Sequence, residues 1–167
     1  LTNLEPINII MKKFLLISVV LLSVLFSGCG RIISKYIKLP DLGDGYQFTY
    51  ETIYSLAIVN PDNILVINAT ILEYAFDSTF IIVSQRPRDS IPNISTMNYY
   101  EATDAFENST FRQYWIINKK EKSERSIVNG RPRYSNIYGP FKKKDYLKKR
   151  IELNVPKELE LIEIEHY

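Results

Sequence analysis

The chain has 167 residues, of which 46% are hydrophobic and 13% aromatic, and its formal net charge is +2. This composition supplies ample apolar side chains for a core and so excludes an intrinsically disordered chain. The near-neutral charge argues against nucleic acid as a partner, and the single cysteine excludes an intramolecular disulfide.

Residues 11–29, MKKFLLISVVLLSVLFSGC, have the layout of a secretion signal. Two lysines open the segment, an apolar run over 14–26 follows, and two small residues precede the cysteine. The run is too short for a transmembrane helix, which needs about 20 apolar residues. We therefore predict that residues 1–28 are a cleaved signal peptide. Residues 1–10, upstream of the first methionine, are read as a misassigned start or as initiation at a leucine-type codon.

The end of this signal, Phe26-Ser27-Gly28-Cys29, resembles the lipobox of bacterial lipoproteins, whose usual form is Leu, a small residue, Gly or Ala, and Cys. The resemblance implies that the Cys29 sulfur receives a diacylglyceryl group and that the signal is cut between Gly28 and Cys29. Phe26 departs from the aliphatic residue usual at its position. The alternative is an ordinary signal peptide followed by a free cysteine. Two acyl chains, such as palmitate, are roughly what durable attachment to a membrane takes.

The predicted tether, residues 29–43, joins this lipid to the domain. It is too apolar for a free linker, so we expect part of it to lie on the domain or near the lipid. Its residue after the cysteine is Gly30, and by resemblance to Gram-negative lipoproteins it lacks the aspartate that retains many of them at the inner membrane. We expect a cell-envelope protein. It would face the periplasm from the outer membrane of a Gram-negative cell, or lie on the outer face of a Gram-positive cell membrane.

Beyond Gly45 the apolar period shifts towards two, as half-buried β-strands require. Turn residues such as Pro61-Asp62-Asn63 separate the apolar runs. Strands are predicted over 46–50, 55–60, 64–68, 70–76, 79–84 and 111–118, with a weak edge strand over 159–165. The charged segment 119–133 is predicted to be an exposed excursion or hairpin.

Two helices are predicted to cover this sheet. The first spans 98–107, with Ser95 or Thr96 as its cap. The second spans 141–153 and would turn its apolar face inward, with lysines on the other side; the inward residues would be Tyr146, Leu147, Arg150 and Ile151. Residues 44–167 are therefore predicted to be a single α+β domain with a mainly antiparallel sheet and one or two packed helices.

Several short blocks of this domain resemble a group of small, uncharacterised bacterial lipoproteins. The blocks are Ser84-Gln85-Arg86-Pro87, Tyr114-Trp115-Ile116-Ile117-Asn118, Tyr138-Gly139-Pro140-Phe141, Arg150-Ile151-Glu152-Leu153 and Val155-Pro156. The likeness covers most of residues 44–156. It implies a fold and an envelope location, but the group has no activity to carry over.

No catalytic constellation is evident in the sequence. The single histidine, His166, is the penultimate residue, so a zinc site or a Ser-His-Asp triad would depend on the chain end. Asp41 and Asp44 flank Gly43 and faintly resemble a calcium loop, but the remaining ligands are missing and a turn is favoured. We expect no metal and no cofactor.

Three carboxylates, Glu101, Asp104 and Glu107, lie three residues apart on the first predicted helix. A pair of carboxylates could serve a glycosidase-like hydrolase, although solvated helix charges are the favoured interpretation. The lysines of 142–149 could contact anionic lipid or a cell-wall polymer, but the simpler interpretation is that they form the solvent-exposed face of a helix.

Arg86 and Arg112 form the basis of one binding hypothesis. Arg86 ends one predicted strand and Arg112 begins another, so antiparallel pairing would bring the two guanidiniums together. They could then bind a carboxylate or a phosphate. The favoured alternative is that each arginine pairs with an acid of the same domain, such as Asp77 or Asp89.

The leading function hypothesis is a noncatalytic binding or structural module of the envelope, whose partner is an envelope protein or a cell-wall polymer. The alternative is an inhibitor or immunity lipoprotein that blocks a secreted enzyme, with 119–133 inserting into a cleft. A carboxylate hydrolase is the third hypothesis.

Overall fold

The computed structural model describes residues 39–52 and 55–164, which all belong to one compact unit. The predicted signal peptide, the Gly28-Cys29 cleavage and lipidation site, and His166 lie outside the described residues. Leu39 and Leu42, which fall within the predicted tether, pack against the core, and Leu42 is completely buried.

The described residues form ten strands and two α-helices. The strands are β1 (Gln47–Thr52), β2 (Ser55–Val59), β3 (Leu65–Ile67), β4 (Ile71–Phe76), β5 (Phe80–Gln85), β6 (Gln113–Asn118), β7 (Arg125–Val128), β8 (Arg131–Tyr134), β9 (Ile137–Phe141) and β10 (Ile162–Glu163). The helices are α1 (Tyr99–Glu107) and α2 (Lys143–Glu152). Neither of these two helices has the length and apolar character that a membrane crossing requires.

All strand pairs described are antiparallel, which confirms the predicted α+β fold. The central sheet has the order β10-β4-β5-β6-β9, and a smaller sheet has the order β1-β2-β3. β7 and β8 form a separate hairpin. Each of the seven predicted strands overlaps an observed strand, but the first three belong to a different sheet from the next two, and β9 was not predicted.

The central sheet is covered on both faces, which explains why β5 is buried along its whole length. Ile81, Val83 and Ile117 point to one face, where they pack with Leu56, Ile58 and Ile67 of the small sheet. Residues of alternate parity point to the other face and pack under α2 and the segment after it; they are Ala75, Phe80, Ile82, Tyr114 and Ile116. The groove described below lies on this second face.

Helix α1 begins later than predicted, because its cap is Asn98. The Asn98 side chain accepts a hydrogen bond from the Glu101 amide, and the Glu101 carboxylate accepts one from the Asn98 amide, each at 3.0 Å. This reciprocal arrangement is a capping box, which satisfies two amides that the helix itself cannot. Ser95 and Thr96, the predicted caps, instead belong to a short 3-10 turn.

The predicted inward face of α2 was wrong in part. Tyr146 is buried and Arg150 is partly buried, but Leu147 is 48% exposed and Ile151 is 78% exposed. Phe141 is the last residue of β9 and not the start of the helix. The helix therefore rests on the sheet mainly through Tyr146, and its two exposed aliphatic side chains lie beside the contact.

Strand β9 was not predicted, because Gly139 and Pro140 suggest a turn. It is an edge strand, where proline is tolerated because the missing amide has no neighbouring strand to bond. Gly139 has a φ of 138° and sits against the Trp115 ring of β6. The hairpin predicted within 119–133 is confirmed: β7 and β8 pair through a turn at Asn129-Gly130, and both strands are exposed or nearly so.

Candidate functional site

A groove of about 330 Å³ lies between α2, the C-terminal segment and the helix-covered face of the central sheet. Its volume is at the lower end of the range typical for ligand pockets. Charged, aromatic and aliphatic side chains share its lining: Glu73, Arg112, Tyr114, Lys143, Tyr146, Leu147, Arg150, Glu160 and Leu161.

The floor of the groove is a row of residues that the strand register places side by side. Glu73 of β4 pairs with Ser84 of β5, and Ser84 pairs with Tyr114 of β6. The next row along the strands is apolar, with Ala75 opposite Ile82. The groove therefore begins where the inner face of the sheet changes from apolar to polar.

The Glu73 carboxylate is neutralised by its neighbours. It accepts a hydrogen bond from the Ser84 hydroxyl, and Arg112 Nη1 lies 2.8 Å from Glu73 Oε2. A partly buried carboxylate would be costly without such partners. Both side chains of the ion pair keep some exposure to the groove.

Two stacked tyrosines form one wall. The rings of Tyr114 and Tyr146 are 4.9 Å apart with an interplanar angle of 22°, and the Arg150 guanidinium lies 5.7 Å from the Tyr146 ring centre. Arg150 donates hydrogen bonds to the carbonyls of Pro156 and Leu159, which fixes the segment that follows α2.

The Tyr146 hydroxyl is the polar group of the groove whose hydrogen bonding is incomplete. The residue is only 2% exposed, and no described residue accepts a hydrogen bond from its hydroxyl. Burial raises the pKa of Tyr146, and the positive charge of Arg150, with a weak hydrogen-bond contact from its guanidinium, opposes part of that rise. At pH 7 the group is therefore a neutral hydroxyl that could donate a hydrogen bond.

The rim of the groove carries charges of both signs. Lys143, the first residue of α2, and Glu160 are exposed, and neither forms an ion pair within the described part of the chain. Leu147 and Leu161 supply an apolar portion between them. The lining therefore has three cationic and two anionic side chains.

Arg86 and Arg112 do lie at the same end of paired strands, because Gln85 is opposite Gln113 in the β5-β6 register. Arg112 pairs with Glu73, an acid that was not among the expected partners. Arg86 Nη1 donates to the carbonyls of Phe106 and Glu107 at the end of α1, at 2.7 and 3.2 Å. Burial, and then the charge of Arg112, lowers the pKa of Arg86. Anion binding by Arg86 and Arg112 together stays a prediction.

The other acidic candidates lie in solvent or in turns. Glu101, Asp104 and Glu107 are all exposed, as expected for solvated helix charges. The Asp41 carboxylate accepts a hydrogen bond from the Gly43 amide, as in the predicted turn. Asp44 forms an exposed ion pair with Lys120. No group of three or more metal-ligating side chains occurs among the described residues.

Sequence reasoning missed Glu73, Ser84 and Tyr146 as members of one site. A signal for Glu73 was present: it lies two residues before the buried Ala75 in β4, so strand alternation assigns it to the covered face. A charge on a covered face needs a partner. The chain order gave no sign that this partner would be Arg112, which is distant along the sequence.

A second groove of about 310 Å³ lies where the β7-β8 hairpin folds along the sheet. Trp115 is fixed there by a hydrogen bond of 2.6 Å from its Nε1 to Gln85 Oε1. Arg133 Nη1 donates to the Gly139 carbonyl at 3.3 Å, which holds the hairpin against the edge strand. The buried Tyr134 hydroxyl, which also has no hydrogen-bond partner among the described residues, belongs to a residue that lines this second groove. The first groove is the better candidate because it also contains an ion pair that is partly open to solvent.

Comparison with known proteins identifies a protein family. The model of a family described as "Protein of unknown function (DUF3997)" matches residues 44–165. No curated protein matches the chain, and no solved structure does either.

Proposed function

Because the chain belongs to the DUF3997 family of proteins of unknown function, we propose its role from its own residues: a lipid-anchored protein of the bacterial cell envelope, acting as a noncatalytic binding or structural module. The domain would be attached outside the cytoplasm through acylated Cys29. It would face the periplasm from the outer membrane in a Gram-negative cell, or lie on the outer face of the membrane in a Gram-positive cell. Its partner would be an envelope protein or a cell-wall polymer.

One observation carries this proposal. The only cysteine of the chain stands directly after Ser27-Gly28, which follow an apolar run that two lysines precede. A secretion signal explains the run, and a lipidation site explains why the cysteine lies at its end. The groove beside α2 supports a binding role, since its ion pair is partly open to solvent and the Tyr146 hydroxyl has no acceptor among the described residues.

Metabolic labelling with palmitate tests the anchor. The full chain expressed in a bacterium should incorporate the label, and its amino-terminal peptide should carry the acyl groups on Cys29 by mass spectrometry. Cys29→Ser should abolish the label and leave the signal peptide uncut, whereas the control Ser34→Ala, in the tether, should leave both unchanged. A wild-type chain that takes up no palmitate would refute the lipoprotein assignment.

The hairpin favours a second candidate function, an inhibitor or immunity lipoprotein. Ile127 is 60% exposed and Val128 is 48% exposed, next to the tight turn at Asn129-Gly130. Exposed aliphatic side chains at the end of a hairpin suit insertion into the cleft of an enzyme, because burying them there removes apolar surface from water.

A pull-down from detergent-solubilised envelopes separates the two functions. An inhibitor should recover one dominant enzyme, and Ile127→Asp should abolish its capture. The matched control is Ile151→Asp, which places the same charge at an exposed isoleucine on α2. A structural module should instead recover several envelope components, whether or not the hairpin is changed.

A further inference from the structure

We propose that the groove beside α2 binds the oxyanion of a carboxylate or a phosphate, with Lys143, Arg112 and the Tyr146 hydroxyl as its contacts. This inference deepens the proposed binding function by naming the chemical class of the ligand. It rests on the binding role and not on the lipid anchor.

The charges of the lining set the sign of the ligand. Glu73 is already neutralised by Arg112 and by the Ser84 hydroxyl. Lys143 has no ion-pair partner in the described ranges 39–52 and 55–164, so its ammonium is available. Glu160 is the one lining carboxylate that would oppose an anion, and it lies on the exposed rim, where solvent screens it.

The Tyr146 hydroxyl supplies an independent indication of a ligand. Buried hydroxyl groups are normally hydrogen-bonded, and one that is not calls for an explanation. Tyr146 lines the groove and is only 2% exposed; the Arg150 guanidinium is a weak donor to its hydroxyl, and no described residue accepts a hydrogen bond from that hydroxyl. A phenol is a donor that an oxyanion can accept, so a bound oxyanion would satisfy the group.

The start of α2 adds to the positive electrostatic potential of the groove. Its N-cap, Lys142, gives no side-chain hydrogen bond to the first turn, where the Asp145 carboxylate offsets part of the positive charge of the helix start. Unsatisfied amides at a helix start carry partial positive charge and favour anions. Lys143 lies on this first turn and lines the groove, which links the helix start to the two deeper contacts.

The binding test is an NMR titration of the full chain in non-ionic detergent. The probes are inorganic phosphate and acetyl-Ala-Ala with a free carboxylate, at constant ionic strength; acetyl-Ala-Ala amide is the neutral control. Both anions should shift the amide signals of 143–147 in a saturable way, with affinity in the millimolar range. The neutral control, acetyl-Ala-Ala amide, should cause no saturable shift. Absence of a saturable shift with both anions would overturn the proposal.

Charge variants on one helix test the sign and place of the interaction. Lys143→Gln should weaken binding by about two- to fivefold, as expected for loss of an exposed ion pair. Lys144→Gln removes the same charge one residue later, outside the groove lining, and should change binding little. Glu160→Gln should strengthen binding. Equal effects of the two lysine variants would overturn the assignment to this groove.

Tyr146→Phe distinguishes a binding role from a structural one. The variant keeps the ring that stacks on Tyr114 and removes only the hydroxyl. Binding should weaken by about two- to tenfold, because one hydrogen bond to the ligand is lost. The urea midpoint of the unliganded chain should stay nearly the same, since the described protein loses only a weak contact with Arg150 and no acceptor of the hydroxyl proton. A lower midpoint with unchanged binding would overturn the role assigned to Tyr146.

The oxyanion could belong to a soluble compound or to a lipid headgroup. Reconstitution into nanodiscs of phosphatidylcholine, with or without phosphatidylglycerol, separates these sources. Shifts at 143–147 that require phosphatidylglycerol and no soluble anion indicate a headgroup; shifts that require added phosphate or peptide indicate a soluble ligand. Loss of palmitate labelling with groove binding retained would refute the anchor alone, and the reverse result would refute this inference alone.

Discussion

Gly139→Ala should be strongly destabilising, because the structure gives Gly139 a backbone angle and a neighbour that both exclude a side chain. Its φ is 138°, in a region that L-residues rarely adopt. A Cβ atom there would lie 2.6 Å from Cε3 of Trp115 and 2.9 Å from the Tyr114 carbonyl oxygen. Both neighbours belong to β6, an inner strand of the central sheet, so neither can move away freely.

The expected loss of unfolding free energy follows from the backbone strain and the steric overlap. Backbone strain at such an angle costs about 1–3 kcal/mol. Overpacking against a fixed ring adds about 1–3 kcal/mol. The sum, about 2–6 kcal/mol, is a large part of the roughly 5–15 kcal/mol by which domains are stable. Gly130→Ala is the matched control: φ is 74° there, but nothing lies within 4 Å of the added atom. It should cost only about 1–2 kcal/mol of left-handed strain.

Urea unfolding followed by tryptophan fluorescence measures both variants, since Trp115 is the single tryptophan and packs against the core. Adding Trp115→Phe to Gly139→Ala removes the atom in closest contact and should recover part of the overpacking loss, with circular dichroism as the probe. The reasoning is refuted if Gly139→Ala loses no more stability than Gly130→Ala.

Three further predictions concern the cap, the ion pair and pH. Asn98→Ala should cost about 1 kcal/mol of unfolding free energy by removing the capping box of α1; an unchanged urea midpoint would contradict this. A double-mutant cycle with Glu73→Gln and Arg112→Gln should give a coupling of about 1 kcal/mol, small because both side chains are partly exposed; additive losses would show no pairing. Burial, and then the hydrogen bond to Glu121, raises the pKa of Tyr138 from 10.0 to about 12, so its stabilisation is complete below pH 10 and is lost as pH rises towards 12. The unfolding free energy of Tyr138→Phe, measured with urea, should therefore fall less than that of wild type between pH 10 and pH 12. An equal fall in the two proteins would contradict the assignment.

Most strands could be predicted from the sequence because their signals are local. The segment 111–118 is rich in aromatic and β-branched residues, and β6 lies within it. Strand β9 could not be predicted because Gly139 and Pro140 are tolerated in it only at the edge of a sheet. A position at the sheet edge is a tertiary property. The prediction of the inward face of α2 was wrong in part for a similar reason. Helical periodicity identifies an apolar stripe, but the extent of the sheet decides how much of that stripe is covered.

The candidate groove could be predicted only in fragments. Antiparallel pairing of the strands that end near Arg86 and begin near Arg112 was the condition on which the anion-binding hypothesis rested, and the observed register meets that condition. The partner of Arg112 did not follow, since Glu73 comes from β4, on the far side of β5. A row across three strands depends on two registers at once, and each register is set by turns and bulges that a single strand pattern does not specify.

The groove exists because α2 covers the sheet incompletely. Of the ten helical residues only Tyr146 is buried, so the helix is held at one point and leaves the polar row of Glu73 and Ser84 beneath its side. A fold optimised for stability alone would place apolar residues in this row, because a partly buried ion pair seldom stabilises more than well-packed aliphatic side chains. The same position also carries an unpartnered Tyr146 hydroxyl, a second departure from good packing. Two such departures within one groove are typical of a site retained for contact with a ligand, since functional sites are where natural sequences most often break the rules of stability.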